Sequence, residues 1–129
     1  MAGLLDSADW HVESAAEAEG SPFAPAGFIV AWLAERGLLS DQVFSEFRVD
    51  IAKCISRTAP PLDLYAGMDG KLSGGDIRPQ FVPLVRDTLL ATVSNMDDIY
   101  SSADSWDVYA ALKFDFDALY TKWLGEELR

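Results

Sequence analysis

The sequence predicts an all-α fold, a compact bundle of about four to five helices with room for a short N-terminal strand or extended arm. Three observations predict it. Apolar residues recur three and four apart through most of the chain, whereas β-branched alternation over a strand's length is almost absent. Half of the residues are hydrophobic and 12% are aromatic, far too apolar for a disordered chain. At 129 residues the length suits one domain spanning 1–129, with 1–24 a loose acidic arm and 25–129 the helical core.

Residues 14–26, rich in Ala, Gly, Ser, Glu and Pro, read as a loop or loose arm, with Trp10–Val12 the one place for a strand. Pro25 suits a first helical turn, and Phe28, Ile29, Trp32 and Leu33 follow at helical spacing. Arg36 and Gly37 then supply a basic last turn and a left-handed C-cap. Ser40 is a natural N-cap for a second helix, whose inner stripe is Val43, Phe47, Ile51 and Cys54/Ile55. Pro60-Pro61 stops it, and a short helical turn at Leu62–Ala66 leads into the loop Met68–Gly75. Pro79 and Pro83 forbid an unbroken helix from Asp76, so the third long helix starts near Val82 with Val82, Val85, Leu89 and Val93 inward. Asp104 or Ser105 caps the last helix. Its wide apolar face comprises Trp106, Tyr109, Leu112, Phe116, Leu119, Tyr120 and Trp123.

The net charge of −11 is unevenly placed. Residues 1–20 hold Asp6, Asp9, Glu13, Glu17 and Glu19 with no Lys or Arg, and residues 94–129 hold eight acids against Lys113, Lys122 and Arg129. The middle is nearly neutral. Such ends repel nucleic acid and anionic membranes and attract a cationic protein. The longest apolar run, Ala26–Ala34, is too short to cross a bilayer, and the first residues lack a secretory signal's basic and apolar regions. Cys54 is the only cysteine, which excludes an internal disulfide and fits a reducing, cytoplasmic setting.

Chemistry is sparsely supplied. One His and one Cys leave too few parts for a zinc cluster or a nucleophilic triad, so no metal, cofactor or catalytic residue is expected. His11 beside Trp10 reads as a hydrogen-bonded structural residue. The alternative is a small enzyme using His11 and a nearby carboxylate in a Trp-lined pocket. Asp69–Asp76 resembles the back half of a calcium loop, but Tyr65 and Gly67 stand where the first carboxylates belong, so a tight helix–helix turn explains Asp-Gly and Gly-Gly better.

The last helix carries one feature beyond core packing. At about 100° per residue, Phe114 lies roughly 140° from Tyr109, with Ala111 and Ala118 beside it and Asp107 and Asp115 flanking. Either the helix is sandwiched between two layers, which is the simpler account, or it presents a small apolar patch rimmed by acids. In the second case Asp97, Asp98, Asp104, Asp107, Phe114 and Asp115 form the partner-binding surface.

Asp9-Trp10-His11, the Phe28-x-x-x-Trp32-Leu33-x-x-x-Gly37-Leu38 helix, Asp69-Gly70-Lys71-Leu72, Tyr100-x-x-x-Asp104-x-Trp106-x-x-Tyr109 and Tyr120-x-x-Trp123 span most of the chain. In these it resembles an uncharacterised family of small acidic bacterial proteins, and departs from it in the Ala/Glu-rich stretch 14–20. The resemblance implies an immunity partner of the kind found beside bacterial toxins and carries no catalytic residues across. The function expected is therefore neutralisation of a cationic protein toxin by occlusion. A homodimer burying Phe114 is the structural alternative.

Overall fold

The computed structural model describes residues 3–96 and 98–127. The elements run β1 (Leu4–Ser7), α1 (Val12–Glu17), α2 (Ala24–Arg36), α3 (Asp41–Glu46), α4 (Arg48–Ile55), α5 (Asp63–Gly67), β2 (Lys71–Ser73), α6 (Val82–Leu84), α7 (Leu90–Ser94) and α8 (Trp106–Glu127). The architecture is mostly helical and compact. α2 is its axis: every residue from Ala24 to Ala34 is buried, because this helix is apolar on all sides and α4, α5, α7 and α8 pack around it. At Gly27 the α5 side is so close that a Cβ would meet Leu62 Cδ2 at 2.5 Å. None of the described helices is long and apolar enough to cross a membrane.

The α2 ending follows its residues. Gly37 sits at φ 72°, ψ 30°, its N–H donating to Ala34 O, while Leu38 N donates to Leu33 O at 2.9 Å. Ser40 Oγ then accepts from Val43 N and caps α3. The single helix expected from Ser40 up to Pro60-Pro61 is broken at Phe47, which leaves helical geometry at φ −111°, ψ 30° and divides α3 from α4, and it ends at Ile55. Glu46-Phe47-Arg48 contains neither Pro nor Gly, so nothing in the residue types marks the break. From Val82 to Ser94 the chain is helical with a widened π turn at Val85–Leu89, in the turn after Pro83; of the expected inner stripe Val85, Leu89 and Val93 are buried and Val82 is half-buried.

The N-terminal stretch differs most from expectation. It is a docked segment, not a loose arm: Asp6, Ser7, Ala8 and Ala15 are buried, and α1 occupies part of the presumed loop. The strand lies at Leu4–Ser7, whereas Trp10–Val12 belongs to a 3-10 turn and the start of α1. β1 pairs antiparallel with β2, Asp6 opposite Leu72 and Ser7 opposite Lys71. β2 comes from the stretch expected to be a helix–helix turn. Asp69 and Gly70, both at φ 63°, make the tight reversal from α5 into it, the conformation that Asp-Gly favours. Asp76 Oδ2 accepts from Ser73 N and Ser73 Oγ, a local cap on the following 3-10 turn.

Candidate functional site

α8 is set by polar anchors on its inner side. Ser105 caps it, with Oγ accepting from Val108 N at 3.3 Å and the carbonyl from Tyr109 N at 3.1 Å. Trp106 Nε1 donates to Ala59 O at 3.0 Å, and the Arg57 guanidinium lies 4.7 Å from the Trp106 ring centre. Asp117 Oδ1 accepts from Trp32 Nε1 at 2.9 Å and from Arg36, whose guanidinium stacks over Trp32 and Tyr120. Partial burial works against ionisation of Asp117, but the Arg36 and Trp32 hydrogen bonds outweigh it and hold the carboxyl below its ordinary range. Tyr109, Leu112 and Phe116 fill the core. Burial foremost, then Glu35, raises the Tyr109 hydroxyl well above its usual range, although neither Tyr109 Oη nor Glu35 Oε1 has a hydrogen-bond partner of ordinary geometry.

These anchors fix the rotation of α8 and therefore what it presents. Asp107, Ala111, Phe114 and Ala118 fall on one outer strip, all exposed, and Phe114 is 78% exposed. The two-layer sandwich is thus overturned: α8 is covered on one side, among the described residues. Beside Phe114 an open hollow of about 530 Å³ is lined by Asp117, Ala118, Thr121 and Lys122. Asp115 is exposed and borders the strip about 100° around the axis from Phe114.

The remaining acids are placed less uniformly. Asp98 is exposed in the turn before α8, its carbonyl accepting from Ser101 and Ser102 hydroxyls. Asp104 does not cap α8; its Oδ1 accepts from Leu62 N at 3.0 Å, tying the approach to α8 to the start of α5. Partial burial raises the Asp104 carboxyl, the Leu62 N–H opposes this, and the nearby Asp63 charge adds to the rise. Asp97 lies outside the described residues. The strip therefore unites Asp107 and Phe114, with Asp115 at its edge and Asp98 and Asp104 beyond its N-terminal end.

A second cluster has only its histidine marked in the sequence. Asp6 is 4% exposed; its Oδ1 accepts from His11 Nε2 at 2.6 Å and its Oδ2 from the Tyr65 hydroxyl at 2.5 Å. The other ring nitrogen, Nδ1, is hydrogen-bonded to the Tyr100 hydroxyl at 2.7 Å. Burial, then the bond to Asp6, pushes the Tyr65 hydroxyl far above its usual range. Every polar atom of this chain of four side chains is engaged. A neighbouring cleft of about 360 Å³ is lined by Glu19, Ser21, Phe23, Asp63, Tyr100 and Asp104, with neither His11 nor Asp6 in its wall, and Trp10 is 60% exposed. An acid five residues before the only histidine was the available signal, and an acid-rich segment hid it.

No protein-family profile, curated protein or solved structure matches this chain.

Proposed function

We propose that this protein is a binding module of the immunity or antitoxin type, which occludes a cationic protein through the outer strip of α8. The observation that carries this reading is Phe114: an aromatic side chain left 78% exposed on a helix whose rotation is fixed from within by Trp106 and Asp117. An aromatic centre with an acidic margin fits an interface with a basic partner, the ring supplying affinity and Asp98, Asp104, Asp107 and Asp115 supplying approach rate. Asp97 adjoins that acidic margin in sequence. The charge of −11 and the single reduced Cys54 suit a cytoplasmic protein that meets a cation and avoids nucleic acid.

The test is capture of a basic protein from the native host, followed by binding kinetics with the purified partner. Phe114→Ala should weaken binding by roughly ten- to a hundredfold through faster dissociation, while changing stability by less than about 0.5 kcal/mol. Asp107→Lys with Asp115→Lys should slow association and steepen its dependence on salt. A captured protein indifferent to all three substitutions would sink the placement. Concentration-dependent dimerisation abolished by Phe114→Ala would give the strip to a second copy of the chain.

A further inference from the structure

We propose that residues 4–21 form a strap that holds the acidic turn 98–105 in place, with the His11–Tyr100 contact as its fastening, and that repulsion between the acidic ends makes the strap salt-sensitive. The strap is fixed at its root: β1 pairs with β2, Ala8 N donates to Gly70 O at 2.7 Å, and buried Asp6 joins His11 to Tyr65 of α5. From this root it reaches the turn at three points. His11 Nδ1 is hydrogen-bonded to the Tyr100 hydroxyl, Ser21 N donates to Tyr100 O at 2.9 Å, and a Cβ on Gly20 would lie 1.7 Å from that same oxygen. The turn's own hydrogen bonds are local, Ser101 and Ser102 hydroxyls donating to Asp98 O and Ser102 N to Ile99 O. Ile99 inserts into the core and Asp104 ties back to Leu62 N, while Asp98, Ser101, Ala103 and Asp104 are exposed.

Charge opposes this closure. Asp9, Glu13, Glu17 and Glu19 are all exposed on a strap without Lys or Arg, and Glu19 shares one cleft wall with Asp63 and Asp104. Like charges at such a junction repel, and salt screens them. Because the turn leads directly into the capped first turn of α8, loosening it loosens the N-terminal end of the docking strip. That consequence rests on the docking reading above; the strap itself exists without a partner, so either can fail alone.

Amide hydrogen exchange on the whole chain reads the strap directly. Tyr100→Phe removes only the hydroxyl, and exchange at Ser21, Ser102 and Val108 should quicken roughly three- to tenfold with Trp32 unchanged. Glu17→Gln with Glu19→Gln should slow exchange at the same amides by roughly two- to fivefold in low salt, a gain that misfolding would not produce. High salt should bring the wild-type chain to the same level. Unchanged exchange in Tyr100→Phe, or quickening spread equally over α2, overturns the strap. Unchanged exchange in the Glu17/Glu19 variant at low salt overturns the repulsion that it opposes.

Discussion

A carboxyl group that is 4% exposed is tolerated in a folded protein only when its oxygens have partners, and Asp6 has His11 on one oxygen and Tyr65 on the other. Asp6→Ala would leave the fully buried Tyr65 hydroxyl without an acceptor and His11 without its orienting partner. We expect it to destabilise the fold by about 2–3 kcal/mol in urea unfolding; a loss of a few tenths would show that the network contributes little. The same residue explains what sequence reading could not reach. Strands are recognised by apolar residues alternating inward, but the buried residues of β1 are the consecutive Asp6 and Ser7. A charged residue in an acid-rich segment reads as solvated surface unless its partners, 59 residues away for Tyr65, are already known to be near. Phe114 was legible as an off-face residue from spacing alone, while its exposure was not, because spacing cannot count the layers over a helix.

Between elements, the α2–α8 junction depends on ionisation. Asp117 is held below its ordinary range when folded, so its contribution is present above the unfolded carboxylate's value of about 4 and is lost as pH falls through the depressed one. Acid titration should therefore loosen the C-terminal half of α8 from α2, read as a change in tryptophan emission as the acceptor of Trp32 loses its charge. Asp117→Asn should remove that step; an unaltered titration would assign it elsewhere. The ends of α2 and the start of α3 were legible because Gly37 and Ser40 act through local geometry that any chain would obey. The break at Phe47 and the widened turn at Val85–Leu89 were not, since the helical period continues across both.

Across the whole molecule, charge and packing are separated. The near-neutral middle supplies most of the core around α2, and the two acidic ends meet where Tyr100 touches His11 and Ser21. Cys54 lies in that middle, on α4, 1% exposed. Its thiol is pushed up to about 11 by burial first and by Glu35, with Arg57 offsetting part of the rise. A thiol both hidden and protonated does not react from the folded state, because alkylation requires an accessible thiolate. The chain thus carries its own clock. Iodoacetamide labelling of Cys54 should count global openings, accelerating with urea along the slope of complete unfolding and ignoring Tyr100→Phe unless that variant lowers total stability. Labelling that is insensitive to low urea would mean that α4 lifts by itself. The one cysteine, inert in the native fold, would then serve as a ruler separating motion of the strap from motion of the whole.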